Sequence, residues 1–458
     1  MMNEKKIIDL VEKQRNYYAS GKTLSLENRE NALLTLQLEL REQQDDILKA
    51  LKADLNKVDF EGYMTEVGIV LDELKYQLKH FKKWASRKKI KTPLSQFPAK
   101  SFVVPEPLGN VLIMAPWNYP FQLCLEPLVG AIAAGNTAII KPSAYAANTS
   151  KAIVKLIEKC FDEEFVAVVE GGREENTTLL DQKFNYIFFT GSTSVGKLVM
   201  EKASKNLTPV SLELGGKSPC IVGKTADLKL AARRVAFGKY LNAGQTCVAP
   251  DYLMINRTVK DEFLELLKKE IESFFPNQDY SDMPVIINDK HYNRLKGLMK
   301  DGKIVVGGKF DDKRRFIEPT VIDEVDFSMP IMKEEIFGPI LPVISYDKFD
   351  EALIKIKSFP KPLAFYLFTR DNDSENKVLN NMSFGGGCIN DTIVHLATSN
   401  MGFGGVGDSG MGSYHGKESF NTFTHYKSIL KKSNKLDLNM RYHPYTDKKF
   451  KVIKRFMK

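Results

Sequence analysis

Cys247 stands apart from the other four cysteines of the chain, Cys124, Cys160, Cys220 and Cys388, which lie in apolar or helical runs and read as small core residues. It follows Gly-Gln-Thr in NAGQTCVAPD, a segment with the composition of a surface turn. A thiolate that attacks a carbonyl needs an accessible sulfur, a nearby base and hydrogen-bond donors for the oxyanion. Two other segments carry those groups. Glu213 in SLELGGKSP lies beside a Gly-Gly pair that permits close backbone approach, as a general base next to a substrate requires. Asn118 in APWNYP is set between prolines behind a strand, where its amide can be aimed as an oxyanion donor. Taken one at a time, each residue is at least as well explained as a core cysteine, a strand-end glutamate or a turn asparagine.

A phosphate-binding turn is sought as GxGxxG behind a strand, and the one literal match, GFGGVG (residues 402–407), opens no strand-to-helix unit. FFTGSTSVGK (residues 188–197) fits better. There an apolar strand ends at Gly191 and a helix begins near Ser194, so backbone amides and the positive helix end can hold a pyrophosphate. Read alone, it is equally a plain helix cap. An odd number of cysteines without a CxxC pair fits neither a disulfide framework nor a zinc site, and no metal is expected.

The elements that must position these residues follow from periodicity. Residues 1–85 read as amphipathic helices, with Ser25 as an N-cap. Residues 86–108 lose that period and carry Pro93, Pro98, Pro105 and Pro107, which suggests an extended arm. From about 110, short apolar strands alternate with helices, the pattern of a parallel sheet with crossover helices, and a second such region begins at Pro219. The fold class is therefore α/β. At 458 residues, 43% hydrophobic and 27% charged, the chain has the composition of a globular protein of two or three domains. Its net charge of +9 gathers partly in the tail KKFKVIKRFMK, a solvated basic end more than a nucleic-acid face, since no aromatic-rich basic motif accompanies it. The N-terminus lacks the apolar core of a signal peptide and no window is long enough for a transmembrane anchor, so a reducing cytoplasmic setting is the default.

Seven segments then occur together in order: PWNYP, KPS (residues 141–143), FTGSTSVG, LELGGKSP, GQTC, EEIFGP (residues 334–339) and GFGGVGDSGMGSYHG (residues 402–416). In this the chain closely resembles the aldehyde dehydrogenase superfamily, in particular its class 3 branch acting on fatty and aromatic aldehydes, over nearly its whole length. The resemblance implies NAD(P)-dependent oxidation of aldehydes to carboxylic acids. Cys247 would be the nucleophile, Asn118 an oxyanion donor and Glu213 the water-activating base. It implies a Rossmann-like cofactor domain (residues 1–85 and 109–215), an α/β catalytic domain (216–419) and a small β bridging arm (86–108 and 420–432) that joins two subunits into a homodimer. A basic tail (433–458) would follow, with weak contact to an acidic membrane surface as one role. Lys141 and Ser143 match positions on the adenosine ribose, and Gly191, Ser192 and Gly196 match the pyrophosphate turn. Glu335 matches the nicotinamide-ribose carboxylate and Phe337 the side chain beside that ring. Tyr119 and His415 match positions along the aldehyde tunnel. Two alternatives share the fold: a coenzyme A-acylating enzyme, which Glu213 argues against, and a catalytically silent binding protein.

Two departures from the family pattern bear on function. Gly402 stands where relatives often have Pro, which suggests a loosened loop. After KPS, relatives that prefer NAD commonly carry Glu, which grips the ribose hydroxyls and repels a 2′-phosphate, but here the residue is Ala144. Both NAD+ and NADP+ are therefore expected to serve. Comparable kcat/KM values for the two would bear this out, and a large preference for NAD+ would contradict it.

Overall fold

Strands whose every residue is buried and whose middles are apolar, as in Asn110–Met114 and Thr137–Lys141, need cover on both faces. Crossover helices supply that cover in a parallel sheet. A computed structural model describes residues 3–457; Met1, Met2 and Lys458, the outer ends of the expected first and last segments, lie outside the described residues. It contains two such sheets.

The first has six strands in the spatial order Gly410–Met411, Val210–Leu214, Tyr186–Gly191, Asn110–Met114, Thr137–Lys141 and Val166–Val168. All pairs are parallel except the short Gly410–Met411, which lies antiparallel to Val210–Leu214. The chain starts at Asn110–Met114, runs outward one way, then returns to Tyr186–Gly191 on the other side. Ligands bind beyond the carboxyl ends of strands at such a reversal. Asn118 follows one of the two central strands and Gly191 ends the other. The helices Glu4–Ala19, Leu26–Glu42, Gln44–Leu55 and Gly68–Trp84 fill the expected N-terminal helical region, and Ser25 caps the second by accepting from the Asn28 N–H at 3.3 Å.

The second sheet has seven strands, again parallel apart from the edge strand Lys303–Val306, with Tyr252–Asn256 at its centre, Pro219–Val222 beside it and Gly386–Ile389 at the opposite edge. The arm is a separate antiparallel sheet in which Thr424–Lys432 pairs with Ala99–Pro107 along nine residues, and Lys88–Ile90 adds a third strand. The two expected arm segments thus pair with each other within one chain. The tail is not simply a solvated run of charge: Asp447–Phe456 is a helix capped by Thr446, with Phe450 exposed among lysines.

Residues 402–416 are also more ordered than the glycine at 402 suggests. Phe403 and Tyr414 exchange both backbone hydrogen bonds at 2.9 Å, and a Cβ at Gly402 would lie 2.4 Å from Ser413 Oγ. Backbone pairing across the loop, not proline, holds it.

Candidate active site

The helix Leu228–Tyr240 is followed by three consecutive left-handed residues, Asn242, Ala243 and Gly244, which turn the chain sharply toward Cys247. Gly244 is required there: a Cβ would sit 2.2 Å from the Gly338 carbonyl oxygen, so the Cys247 loop and the loop carrying Glu335 and Phe337 touch backbone to backbone. Gln245 fastens the turn further, donating to Val285 C=O at 3.0 Å and accepting from the Ile287 N–H at 3.1 Å. The surface turn expected from composition is therefore a buried wall, because its polar side chains satisfy backbone groups. Cys247 itself is half-buried. Burial first, then the charges of Glu335 and Glu213, push its thiol up to about 12, against the backbone N–H groups of Cys247 and Val248.

Asn118 reaches this loop from the first sheet. Its Nδ2 donates to Gln245 C=O at 3.0 Å, which leaves a second N–H uncommitted, and its own C=O accepts from Asn242 Nδ2 at 2.8 Å. Tyr119 is bound to the same loop through its hydroxyl, 2.6 Å from Thr246 Oγ1.

Glu213 sits next to the end of Val210–Leu214, opposite Thr190 on one neighbouring strand and Gly410 on the other. It is 3% exposed and neither carboxyl oxygen has a hydrogen-bond partner. Burial alone holds its pKa well above the usual carboxylate range. The glycine loop explains how it fits: a Cβ at Gly404 would lie 3.1 Å from Glu213 Oε1 and 2.3 Å from Gly412 C=O. The GFGGVG segment thus packs over this carboxylate.

A cavity of about 190 Å³ brings Cys247, Glu213, Tyr119 and His415 together. Its remaining walls are mostly apolar, with Met64, Ile69, Leu123, Phe237 and Leu396 among them. Asn118 is not among the lining residues and connects to the sulfur's loop through Gln245.

The expected cofactor residues lie beside the cavity. Ser192 precedes the helix Thr193–Ser204 in extended conformation without capping it, which leaves the first amides of the helix free for an anion. Gly196 permits close contact of helix and strand, since a Cβ would meet Leu214 at 2.6 Å. Lys141 ends its strand with Nζ donating to Pro142 C=O at 2.8 Å and Gly171 C=O at 2.7 Å; burial lowers its pKa. Ser143 Oγ accepts from the Tyr145 N–H at 3.3 Å, and Ala144 between them is exposed. Glu335 leans onto Gly215 and Gly216: a Cβ at Gly215 would lie 2.1 Å from Glu335 Oε2, and the Gly216 N–H donates to the carboxyl. Burial and then the Asp251 charge push Glu335 up to about 8. Phe337 holds a positive φ of 50° and meets Trp117 edge-on with ring centroids 5.4 Å apart. Open helix amides, a turn of small residues at Gly191 and Ser192 and a carboxyl group that acts on the Cys247 thiol fit a nicotinamide dinucleotide. Among the described residues no cluster could hold a metal ion.

Several residues that matter here carry no sequence signal. Lys239, fully buried near Glu335 and Asp251, is pushed down to about 8 by burial. Glu126 lies in the fully buried helix Gln122–Ala134, with Oε1 3.3 Å from His415 Nε2. That separation would suit an ion pair, but burial raises Glu126 well above the carboxylate range and pushes His415 down to about 3. The His415 ring also bonds to Leu396 C=O. A ring nitrogen facing a carbonyl must donate, so Nε2 carries no proton; it makes no hydrogen bond, and burial favours the neutral acid at Glu126. Gln122 donates to the other Glu126 oxygen.

The chain matches the aldehyde dehydrogenase family over residues 1–429. It is 49% identical to 4,4′-diaponeurosporen-aldehyde dehydrogenase of Staphylococcus aureus, over 96% of this chain and 97% of that protein. It is 43% identical to the rat aldehyde dehydrogenase described as dimeric and NADP-preferring, over 93% and 95%. Among solved structures, the substrate-bound state of Staphylococcus aureus AldH superposes with a TM-score of 0.97 at 48% identity over the whole of both chains. Betaine aldehyde dehydrogenase of the same organism in complex with NAD+ gives 0.85 at 27% identity, over 95% of this chain and 89% of that one. The chain belongs to the aldehyde dehydrogenase family.

The proton assignment at Glu126 has a direct consequence. Glu126→Gln keeps a neutral side chain of the same shape beside His415 and an acceptor for Gln122, so melting temperature and kcat/KM are expected to stay close to wild type. An ionised pair would instead lose about 3–5 kcal/mol when one partner is neutralised, visible as a large drop in melting temperature.

Proposed function

We propose that Cys247, Glu213 and Asn118 carry out NAD(P)-dependent oxidation of apolar aldehydes to carboxylic acids through a cysteine-bound acyl group. The observation that carries this reading is Glu213: a buried carboxyl without a single hydrogen-bond partner, facing the same cavity as the one cysteine that lines it. Burying a polar group unpartnered is unfavourable, and such groups concentrate where chemistry needs them.

Cys247 Sγ bonds to the aldehyde carbon as its proton passes to ionised Glu335, the carboxylate that bears most on it, because a thiol held near 12 supplies little thiolate unaided. The resulting oxyanion is held by the uncommitted Asn118 N–H and the Cys247 backbone N–H. A bound nicotinamide cofactor supplies the acceptor for the hydride that leaves this carbon, which turns the adduct into a thioester. Glu213 then takes a proton from water as that water attacks the thioester, the carbon–sulfur bond breaks, and the thiol regains a proton as the carboxylate leaves. Its unpaired oxygens suit water activation, whereas a coenzyme A-acylating enzyme gains nothing from such a base. A silent binding protein has no reason to keep the unpartnered charge-bearing group. In this reading Lys141 and Ser143 hold the adenosine ribose, Gly191, Ser192 and Gly196 the pyrophosphate, and Glu335 and Phe337 the nicotinamide end. Tyr119 and His415 border the aldehyde, and the apolar walls favour medium or long aliphatic chains or aromatic rings.

The same reading makes residues 1–85 and 109–215 the cofactor domain and 216–419 the catalytic domain. It makes the protein a homodimer joined by its arm. The arm strand Thr424–Lys432 presents an exposed edge, and Gly386–Ile389 leaves the second sheet's edge open; unpaired edges of this kind invite strand addition. The rat relative is described as dimeric. No described helix is long and apolar enough to cross a membrane. The tail helix, with Phe450 and Ile453 among Lys448, Lys449, Lys451, Lys454 and Arg455, suits light contact with an anionic lipid surface. Five free cysteines suit a reducing cytoplasm.

Two variants test the assignment by absorbance at 340 nm with aldehyde and either cofactor. Cys247→Ser is expected to abolish turnover, and full activity would refute the nucleophile. Glu213→Gln is expected to lower steady-state turnover at least about 100-fold while sparing the first-turnover burst. Because only ionised Glu213 can accept the proton and burial raises its pKa, wild-type turnover rises with pH through that raised pKa. Glu213→Gln loses this limb; a variant that keeps it would show that another group is the base.

A further inference from the structure

Lys57 takes no part in the chemistry above, yet its side chain and that of its partner Glu66 are both 0% exposed. Nζ donates to Glu66 Oε1, donates to Asn118 C=O at 2.9 Å and lies 4.0 Å over the Tyr119 ring. Glu66 points inward from a single π-helical turn over Tyr63–Val67, a local widening found mainly at functional sites. Its second oxygen accepts from the Phe121 N–H at 2.8 Å and the Gln122 N–H at 3.2 Å, where the helix Gln122–Ala134 begins. The ion pair therefore grips residues 118–122 from both sides. Across from it, Glu61 Oε1 accepts from the Asn242 N–H at 2.8 Å, and Asn242 donates to the same Asn118 carbonyl.

A buried ion pair is a poor way to gain stability, because desolvation of both charges offsets their attraction and apolar replacements often serve as well. What this pair does supply is direction. The Asn118 peptide is fixed by a cation on its carbonyl, and the side-chain amide on the same residue is fixed by Gln245 C=O at 3.0 Å. An oxyanion donor is effective only when held within about 0.5 Å of its working position.

We propose that the Lys57–Glu66 ion pair is a positioning device for the oxyanion site, locking the Asn118 peptide so that its free N–H stays aimed at the Cys247 adduct. This rests on the reading of Asn118 as an oxyanion donor. Lys57 acts through Asn118 and touches neither substrate nor cofactor.

The test is a double-mutant cycle read as the first-turnover burst at 340 nm, with aldehyde KM and melting temperature followed alongside. Asn118→Ala, Lys57→Met and their combination form the cycle. Lys57→Met/Glu66→Gln removes both charges yet keeps an acceptor for the Phe121 and Gln122 N–H groups, so it stays folded where the single Lys57 variant strands a buried carboxylate. Lys57→Met/Glu66→Gln in the wild-type and Asn118→Ala backgrounds closes the same cycle. We expect removal of Lys57 to slow the burst about 30-fold when Asn118 is present and less than about 3-fold in the Asn118→Ala background, with aldehyde KM unchanged. Equal slowing in both backgrounds, or an unchanged burst in Lys57→Met/Glu66→Gln, overturns the positioning role while leaving Asn118 in place. An unchanged burst in Asn118→Ala overturns the oxyanion reading and this proposal with it.

Discussion

The hydrogen bond from Asn118 Nδ2 to Gln245 C=O, 3.0 Å long, joins two loops that belong to different sheets. One leaves the carboxyl end of Asn110–Met114 in the first sheet; the other follows the helix Leu228–Tyr240 that packs in the second region. Everything that acts on an aldehyde in this account depends on that junction. The left-handed run at Asn242–Gly244 exists so that Gln245 can turn its carbonyl toward Asn118 while Cys247 faces the cavity. Gly244 lets the Glu335 loop close against the same turn, so the segments carrying Asn118, Cys247 and Glu335 are held against one another.

The second organising constraint is the scarcity of water around charge. Cys247, Glu213 and Glu335 all have their neutral forms favoured by burial, and each carboxylate also disfavours the thiolate. A site in this condition has no fixed negative charge to oppose the oxyanion that forms on substrate attack. Fixed N–H groups meet that charge as it develops, and they are worth more in a low-dielectric cavity than in water. The Glu126–His415 pair follows the same logic next to the cavity: burial favours the neutral form of both groups and no counterion is needed.

The candidate site was legible in the sequence only through the ordered run of family motifs, since each of its residues taken singly fits a structural role as well. Cys247 and Glu213 are set beside glycines because a reactive side chain needs close backbone neighbours, and both face one cavity. The alternation of apolar runs with helices likewise announces the two parallel sheets, and Ser25 announces its helix. Burial of polar residues was not legible. Gln245 and Thr246 look like turn residues by type, and only the folded chain reveals that Val285, Ile287 and Tyr119 absorb their polar atoms. Glu66 and Glu126 fall on helical segments and Lys57 on the short link between the helices Gln44–Leu55 and Asp59–Gly62, where a charge is ordinarily solvent-facing, and the partners that draw them inward are distant in sequence or, for Glu66, reached through a π turn that periodicity cannot express. Gly402 misled for a related reason, since the pairing of Phe403 with Tyr414 supplies the order that a proline would have supplied locally.

The most direct test of the account is to catch the acyl group on its sulfur. Protein with Glu213→Gln is mixed with NAD+ and a long-chain aldehyde, quenched in acid within the first turnover, digested and examined by mass spectrometry. The account predicts the mass of the acyl group on the peptide containing Cys247, in near-stoichiometric yield, and its rapid disappearance in the wild-type protein. An acyl group on another residue, or none in either protein while NADH forms, would contradict it.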